Sequence, residues 1–210
     1  MALREKLLDG QIFWPPGQES CFIPVDALNS ILTYEAVKEE LRIIDSSKDD
    51  KQLSSYAHYI RNNAKKIFAM LLIGNKRESV FSFIDEHICD NDLPFKKAGV
   101  FGNSQDPLRL CKQTNTTGCE GIRSMSKWTR HEIREFCRIQ WQVQAPVFQK
   151  TESGIVPHYD LDDNVILPFI EDNEREMASG GYSHVWKVRI HPAHQNLWIP
   201  VGDYVSTRPS

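Results

Sequence analysis

Apolar residues recur every three or four positions along the first half of the chain, which is the spacing of amphipathic helices. The pattern predicts helices over residues 26–44, 53–73 and about 78–87. Asp26 is placed to cap the first of these helices, and Gly74 follows the second as a stop signal. This part of the chain is therefore predicted to form a helical domain.

The segments around these helices carry turn and loop signals. Residues 1–26 contain a Pro-Pro-Gly sequence and a further proline, so they are predicted to form an irregular arm that is helical only in its first few residues. Residues 91–117 contain Gly99, Gly102, Pro107 and many polar residues. They are predicted to form a long loop that holds one short strand over residues 99–101.

A capping box marks the start of a fourth helix, because Thr129 and Glu132 can satisfy each other's free backbone donors. Pro146 ends this helix. Its predicted core-facing residues are Ile133, Phe136, Cys137 and Trp141.

Beyond the fourth helix the periodicity changes from that of a helix to that of a strand. An apolar run occupies residues 165–170, a Gly-Gly pair lies at 180–181, and residues 186–190 alternate as a returning strand should. The predicted fold class is α+β, mainly α, with a helical N-terminal domain followed by a small antiparallel β-hairpin. The predicted divisions are an arm over 1–26, a helical domain over 27–150, a hairpin unit over 151–195 and a divergent tail over 196–210.

The composition is that of an ordinary globular domain, with 40% hydrophobic and 25% charged residues. A formal net charge of −3 gives no field that would hold nucleic acid or an anionic membrane. The longest apolar run, residues 67–73, is far shorter than the roughly 20 residues that a membrane span needs. The N-terminus also lacks the apolar core of a secretory signal. We therefore expect an intracellular, cytoplasmic protein without a nucleic-acid or membrane partner.

The cysteines and histidines predict no catalytic residue and no metal site. The five cysteines are odd in number and irregularly spaced, which argues against a disulfide framework. Cys111, Cys119, His191 and His194 could supply four zinc ligands, but structural zinc sites usually contain close cysteine pairs, and none exists here.

The segment over residues 177–188, MASGGYSHVWKV, carries the one pattern with a chemical mechanism attached. Glycine-rich loops of protein kinases follow Gly-x-Gly-x-x-Gly-x-Val and cover the phosphates of ATP. Gly180 and Val185 match this pattern, whereas Ala178 replaces the first glycine and Ser183 the third. Tyr182 stands at the aromatic position of the tip. On spacing alone, a surface hairpin with a Gly-Gly turn is the simpler interpretation.

Two other segments add to the motif. Residues 166–170 read Ile-Leu-Pro-Phe-Ile, and residues 136–148 contain Gln-Trp followed by Ala-Pro-Val-Phe. Together with residues 180–194 they resemble a group of large fungal serine/threonine protein-kinase-like proteins, in which a helical region with such a segment precedes the kinase domain. The resemblance covers the chain from about residue 28 to residue 195 and is most specific in its last part.

The resemblance implies that the hairpin is the start of a kinase N-lobe and that six of its residues lie at nucleotide-contacting positions. These are Ala178, Gly180, Gly181, Tyr182, Ser183 and Val185. It also implies an Ala-x-Lys strand soon after His194, but residues 196–210 contain no lysine. The sequence contains no His-Arg-Asp or Asp-Phe-Gly motif either. Because those motifs bind magnesium and position the acceptor hydroxyl, no kinase activity is expected of this chain, and ATP is expected to bind weakly or only in a longer form.

The leading hypothesis is a catalytically incomplete, kinase-related protein, truncated just after the glycine-rich loop. Its helical region would bind a protein partner as an interaction or regulatory module. One alternative is a truncated gene model of an active ATP-dependent serine/threonine kinase, so enzyme status depends on whether a longer form exists. Another alternative is a free-standing helical adaptor with no nucleotide role.

Overall fold

The computed structural model describes residues 2–15, 18–97, 110–112, 121–150, 158–170, 177–180, 183–186 and 188–197. Within these residues the fold is α+β and mainly helical, as the sequence predicts. The α-helices are α1 (Leu3–Asp9), α2 (Val25–Ile31), α3 (Tyr34–Ile44), α4 (Asp50–Asn63), α5 (Lys65–Ile73), α6 (Val80–Asp85) and α7 (Arg130–Ile139).

The strands are short and pair two by two within the described residues. They are β1 (Ile12–Phe13), β2 (Cys21–Phe22), β3 (Lys96–Lys97), β4 (Leu110–Cys111), β5 (Phe148–Gln149), β6 (Phe169–Ile170), β7 (Met177–Gly180), β8 (Ser183–Trp186), β9 (Arg189–Ile190) and β10 (Gln195–Asn196). The pairs β1–β2, β3–β4, β6–β9 and β7–β8 are antiparallel, whereas β5–β10 is parallel.

Helix α5 forms the centre of the core. Every residue from position 67 to position 73 is buried, which is expected of a helix that is apolar on all sides. Helices α1, α2, α4 and α7 and the 3₁₀ turn Gln140–Val143 all pack against it. The longest apolar run of the sequence is therefore the element around which the other helices assemble.

The predicted helix over residues 26–44 is wrong as a single element, because the chain breaks between α2 and α3. Thr33 accepts a hydrogen bond from the Ala36 backbone N–H at 3.2 Å and caps α3. A threonine in the N-cap conformation cannot also continue the preceding helix. The apolar spacing runs across the break because both helices face the same core.

The predicted helix over residues 53–73 is also two helices, since Ala64 adopts φ −138° between α4 and α5. The carboxylate of Asp90 accepts hydrogen bonds from the backbone N–H groups of Lys66 and Ile67, each at 3.0 Å. Asp90 therefore satisfies two free donors at the start of α5 that a local cap would otherwise serve.

The N-terminal segment is more regular than the predicted irregular arm. Helix α1 occupies the first residues, where some helix is expected, and buries Leu3 and Leu7 against α5. Strands β1 and β2 follow as a short hairpin. The arm is thus part of the helical core.

The later helices are shorter than predicted. Residues 78–87 form a 3₁₀ turn, Arg77–Ser79, and then α6. The fourth helix starts at the predicted capping box, in which Thr129 N–H donates to Glu132 at 2.7 Å and Glu132 N–H donates to Thr129 at 3.3 Å. It ends at Ile139 rather than at Pro146. The predicted strand over 99–101 lies outside the described residues.

Phe136 is the one residue of the predicted core-facing set that is fully buried, at 1% exposure. Its ring contacts those of Phe83, Phe95 and Trp128 at centroid distances of 6.0, 6.1 and 5.0 Å. Ile133 and Cys137 pack at the edge of this cluster. The aromatic cluster joins α6 and α7 to the segment around β3.

Cys111 in β4 is disulfide-bonded, whereas Cys21, Cys89 and Cys137 are free thiols. The irregular cysteine spacing argues against a disulfide framework, and it gives no signal for this single bridge. The partner of Cys111 lies outside the described residues.

Candidate functional site

The glycine-rich segment forms the hairpin that its sequence predicts. Strands β7 and β8 run antiparallel, and the residues Gly181 and Tyr182, which connect them, lie outside the described residues. The paired residues are Met177 with Trp186, Ala178 with Val185, Ser179 with His184, and Gly180 with Ser183.

The register assigns the hairpin residues to two faces. Directly paired residues of an antiparallel ladder share a face, and so do residues two positions apart on one strand. Ala178, Gly180, Ser183 and Val185 therefore lie on one face, which we call the glycine face. Met177, Ser179, His184 and Trp186 lie on the opposite face. Four of the six residues that the resemblance singles out are thus brought together, and the other two are Gly181 and Tyr182 of the connection.

The same two segments of chain pair a second time at the base of the hairpin. Strand β6 pairs with β9 through Phe169 with Ile190 and Ile170 with Arg189. The His191 N–H donates to the Pro168 carbonyl at 2.8 Å beside this ladder. The apolar run over residues 165–170 is therefore strand only in its last two residues.

His194 joins the base of the hairpin to the helical region. It ends the 3₁₀ turn Pro192–His194 and is 2% exposed. Its Nε2 accepts a hydrogen bond from the Val25 backbone N–H at 3.0 Å, and its Nδ1 lies 3.0 Å from the Pro146 carbonyl oxygen. Because an amide N–H only donates and a carbonyl only accepts, the imidazole carries its proton on Nδ1. We call His194, Val25 and Pro146 the His194 bridge.

The surroundings of His194 favour the neutral ring. Burial lowers the pKa of His194, and the nearby charges of His191 and Lys66 lower it further. The hydrogen bond to Pro146 and the carboxylate of Asp26 act in the opposite direction and are outweighed. The Phe22 ring contacts the imidazole edge-on at a centroid distance of 5.4 Å.

Two other contacts hold the hairpin base. The Trp14 ring meets the Phe169 ring edge-on at a centroid distance of 6.3 Å. Beyond His194, β10 pairs with β5, where the Tyr159 hydroxyl accepts from the Gln149 N–H at 2.7 Å. The base of the hairpin is therefore attached to the N-terminal arm and to the segment that follows α7.

Three of the four zinc candidates have other bonding partners, and the fourth, Cys119, lies outside the described residues. His191 Nδ1 accepts from the Ala193 N–H at 3.2 Å, His194 is used in the bridge, and Cys111 is disulfide-bonded. Among the residues that the structure describes, no group of three or more histidine, cysteine or acidic side chains is placed to hold a metal ion. In the same residues, no helix has the length and apolar character needed to cross a membrane.

The helical region carries an open polar cleft of about 740 Å³. At its rim Lys76 forms an ion pair with Glu132 and lies 5.4 Å from the centroid of the Trp128 ring. Hydrogen bonds from Lys76 and from Thr129 lower the pKa of Glu132 to about 2. The cleft also contains Glu86, whose carboxylate accepts from the backbone of Arg123 and Ser124 at 2.8 Å each. Lys76 and Glu132 are paired with each other, Glu86 is bound to backbone amides, and these contacts stabilise the wall of the cleft.

Comparisons of the chain with protein-family models, with curated proteins and with solved structures found no match. The kinase resemblance therefore rests on the sequence motifs alone.

The His194 bridge is the feature that the sequence does not reveal. His194 and Val25 are 169 positions apart, and nothing local marks a backbone N–H as the partner of a distant ring. The one available signal is the spacing of His191 and His194 after an alternating strand, and that spacing suggests a metal site just as readily.

Proposed function

We propose that the chain is a kinase-related protein in which a helical interaction and regulatory module supports a nucleotide-binding hairpin, and that the chain itself transfers no phosphate. The observation that supports this most is the register of β7 and β8. It lines up the small residues Ala178, Gly180 and Ser183 on one face with Val185.

The proposed role follows from what a phosphate clamp requires. Backbone amides reach phosphate oxygens only where side chains are small, and Gly180 and Ser183 flank the connection where this approach would occur. Val185, on the same face and farther from the tip, is placed to pack against a base. The glycine face is therefore suited to ATP, with the phosphates at the tip and the base toward Val185.

The same sequence explains why binding would be weak and unproductive. The lysine, magnesium-binding and catalytic motifs of a kinase are not in this sequence. Those motifs supply the positioning and electrostatic stabilisation that dominate phosphoryl transfer, so the chain is not expected to catalyse it. One face of a hairpin buries little of a nucleotide. We expect a dissociation constant of about 1 mM or weaker, or about −4 kcal/mol of binding free energy.

The helical region is proposed to act on the hairpin through its base. Trp14 of the arm contacts Phe169, and the His194 bridge links α2 and the end of the α7 segment to the turn after β9. A protein partner that shifts α2 or the arm would move the hairpin base with it. This arrangement favours a regulatory role over that of an adaptor in which the hairpin has no part.

A titration with Mg·ATP tests the nucleotide role, followed through backbone amide NMR signals of the full chain. Signals of residues 178–185 should shift, and those of α4 and α5 should not. Gly180→Val puts a branched side chain on the glycine face and should abolish the shifts. Ser179→Val makes a similar change on the opposite face and should leave them in place.

Two outcomes would count against the proposal. Equal shifts in the two valine variants would show that the glycine face is not the contact surface. An absence of shifts in the wild-type hairpin at nucleotide concentrations well above 1 mM, roughly tenfold, would favour the helical adaptor without a nucleotide role.

A further inference from the structure

We infer that the His194 bridge is a proton-sensitive attachment, closed when the imidazole is neutral and opened by protonation, that sets how firmly the hairpin base is held on the helical region. The bridge stands on its own geometry. Its effect on nucleotide binding rests on the function proposed above.

Two hydrogen bonds define the closed bridge. Val25 N–H supplies a donor to Nε2, and the Pro146 carbonyl needs the proton on Nδ1. One neutral tautomer satisfies both partners, each at 3.0 Å. A second proton would sit on Nε2 and face the Val25 N–H, so two donors would oppose each other.

The charged groups around the ring come from three elements. Asp26 of α2 favours the protonated ring, whereas Lys66 of α5 and His191, which caps the 3₁₀ turn, oppose it. Phe22 of β2 contributes a T-shaped ring contact and no charge. Protonation therefore adds a positive charge to a buried site whose neighbours are one carboxylate, one lysine and one histidine. Breaking the contact with Val25 removes the opposition of the two donors and lets the charged ring move toward solvent.

The bridge acts on the hairpin because it lies directly beyond β9. His191 donates to Pro168 next to the β6–β9 ladder, and the turn to His194 follows at once. When the bridge opens, the Trp14–Phe169 contact and the β5–β10 ladder remain. We therefore expect the base of the hairpin to loosen while the helical core stays folded.

The chain offers a variant that removes the donor. Val25 is the first residue of α2, a position where proline is well tolerated. Pro24 has φ −58° and ψ 144°, the conformation preferred before a proline. Val25→Pro thus deletes the N–H that meets His194 with little change to the helix start. Its Cδ takes the place of the hydrogen and turns the ring away, so the variant opens this side of the bridge at any pH.

Two substitutions of the histidine separate the halves of the bridge. His194→Gln places an amide oxygen near the Nε2 position and can still accept from Val25. His194→Asn places an amide nitrogen near the Nδ1 position and can still donate to Pro146. His131→Gln, at an exposed position of α7, is the matched control.

The test follows exchange of the His191 amide hydrogen in the full chain without nucleotide, corrected for intrinsic exchange rates, at about pH 7.5 and about pH 5. In the wild type the corrected exchange should rise on acidification, by roughly tenfold for the loss of one buried hydrogen bond. In Val25→Pro it should be raised already at the higher pH. His194→Gln should remove the pH response, and His131→Gln should keep it.

An NMR titration of the His194 ring gives the second readout. Val25→Pro should raise the pKa of His194 toward 6.5, because the proton on Nε2 no longer meets a donor. Wild-type exchange that does not change with pH, or a His194 pKa that Val25→Pro leaves unchanged, would overturn the inference. Because no nucleotide is present, either result is independent of whether the glycine face binds ATP.

Discussion

The Nε2 atom of His194 accepts a hydrogen bond from the Val25 backbone N–H at 3.0 Å and joins two residues that are 169 positions apart. The other ring nitrogen donates to the Pro146 carbonyl at 3.0 Å. The start of α2, the segment after α7 and the turn after β9 therefore meet at one buried imidazole. The hairpin is therefore attached to the helical core through the two hydrogen bonds of the His194 ring.

The stability of the chain should depend on pH through His194. Its pKa in the folded state lies below the unfolded value of about 6.5, so the unfolded chain binds more protons between these two values. Stability from this group is complete above about pH 6.5 and is lost as the pH falls toward the lowered pKa. Urea unfolding at several pH values should show this loss in the wild type and a smaller loss in His194→Gln. Equal pH profiles in the two proteins would contradict the assignment.

Phe136→Ala should destabilise the chain by about 3–5 kcal/mol, because the ring is buried and the cavity cannot collapse between Phe83, Phe95 and Trp128. The free energy of unfolding from urea denaturation measures this loss. Ile43→Ala is the control, since Ile43 is 59% exposed, and it should change stability by less than about 0.5 kcal/mol. Comparable losses in the two variants would argue against the described core.

Asp90→Ala should destabilise the chain by about 2 kcal/mol, because it leaves the N–H groups of Lys66 and Ile67 without their acceptor at the start of α5. Asp85, exposed at the end of α6, provides the matched control in Asp85→Ala. The two free energies of unfolding should differ clearly. A neutral Asp90→Ala would show that α5 is capped in another way.

Glu132→Gln should remove part of the acid sensitivity of the chain. Hydrogen bonds from Lys76 and Thr129 lower the pKa of Glu132 from 4.5 to about 2. The stability that this carboxylate contributes is present above about pH 4.5 and is lost as the pH falls toward 2. Acid unfolding followed by circular dichroism should therefore be less steep in the variant over that range. An unchanged acid transition would show that the Lys76–Glu132 pair does not form in solution.

The elements that could be predicted from the sequence are those whose signals are local. The capping box of Thr129 and Glu132 and the Gly-Gly hairpin each specify their structure within a few residues, and both form where expected. The presence of the helices could be predicted from the apolar spacing, because this spacing shows which face of each helix is buried in the core. That spacing does not record where a helix stops, since α2 and α3 present apolar residues to one core across the break at Thr33.

The features that could not be predicted depend on distant partners. Asp90 caps α5 from 24 positions away, so the break at Ala64 has no signal in the neighbouring residues. The His194 bridge uses two backbone groups, and a backbone group has no sequence identity to recognise. The same holds for the candidate site. Its residues could be predicted because they belong to a local motif, whereas its attachment to the helical region could not, because that attachment depends on long-range contacts.

The most direct test of the glycine face is paramagnetic relaxation by Mn·ATP, read from backbone amide signals of the full chain. Manganese carried by the phosphates should broaden the amides of residues 180–183 most strongly, should affect Val185 less and should leave α5 unaffected. Gly180→Val should abolish the broadening, and free manganese without ATP should not reproduce it. Broadening that is absent from the hairpin, or that is the same with and without ATP, would contradict a nucleotide-binding hairpin.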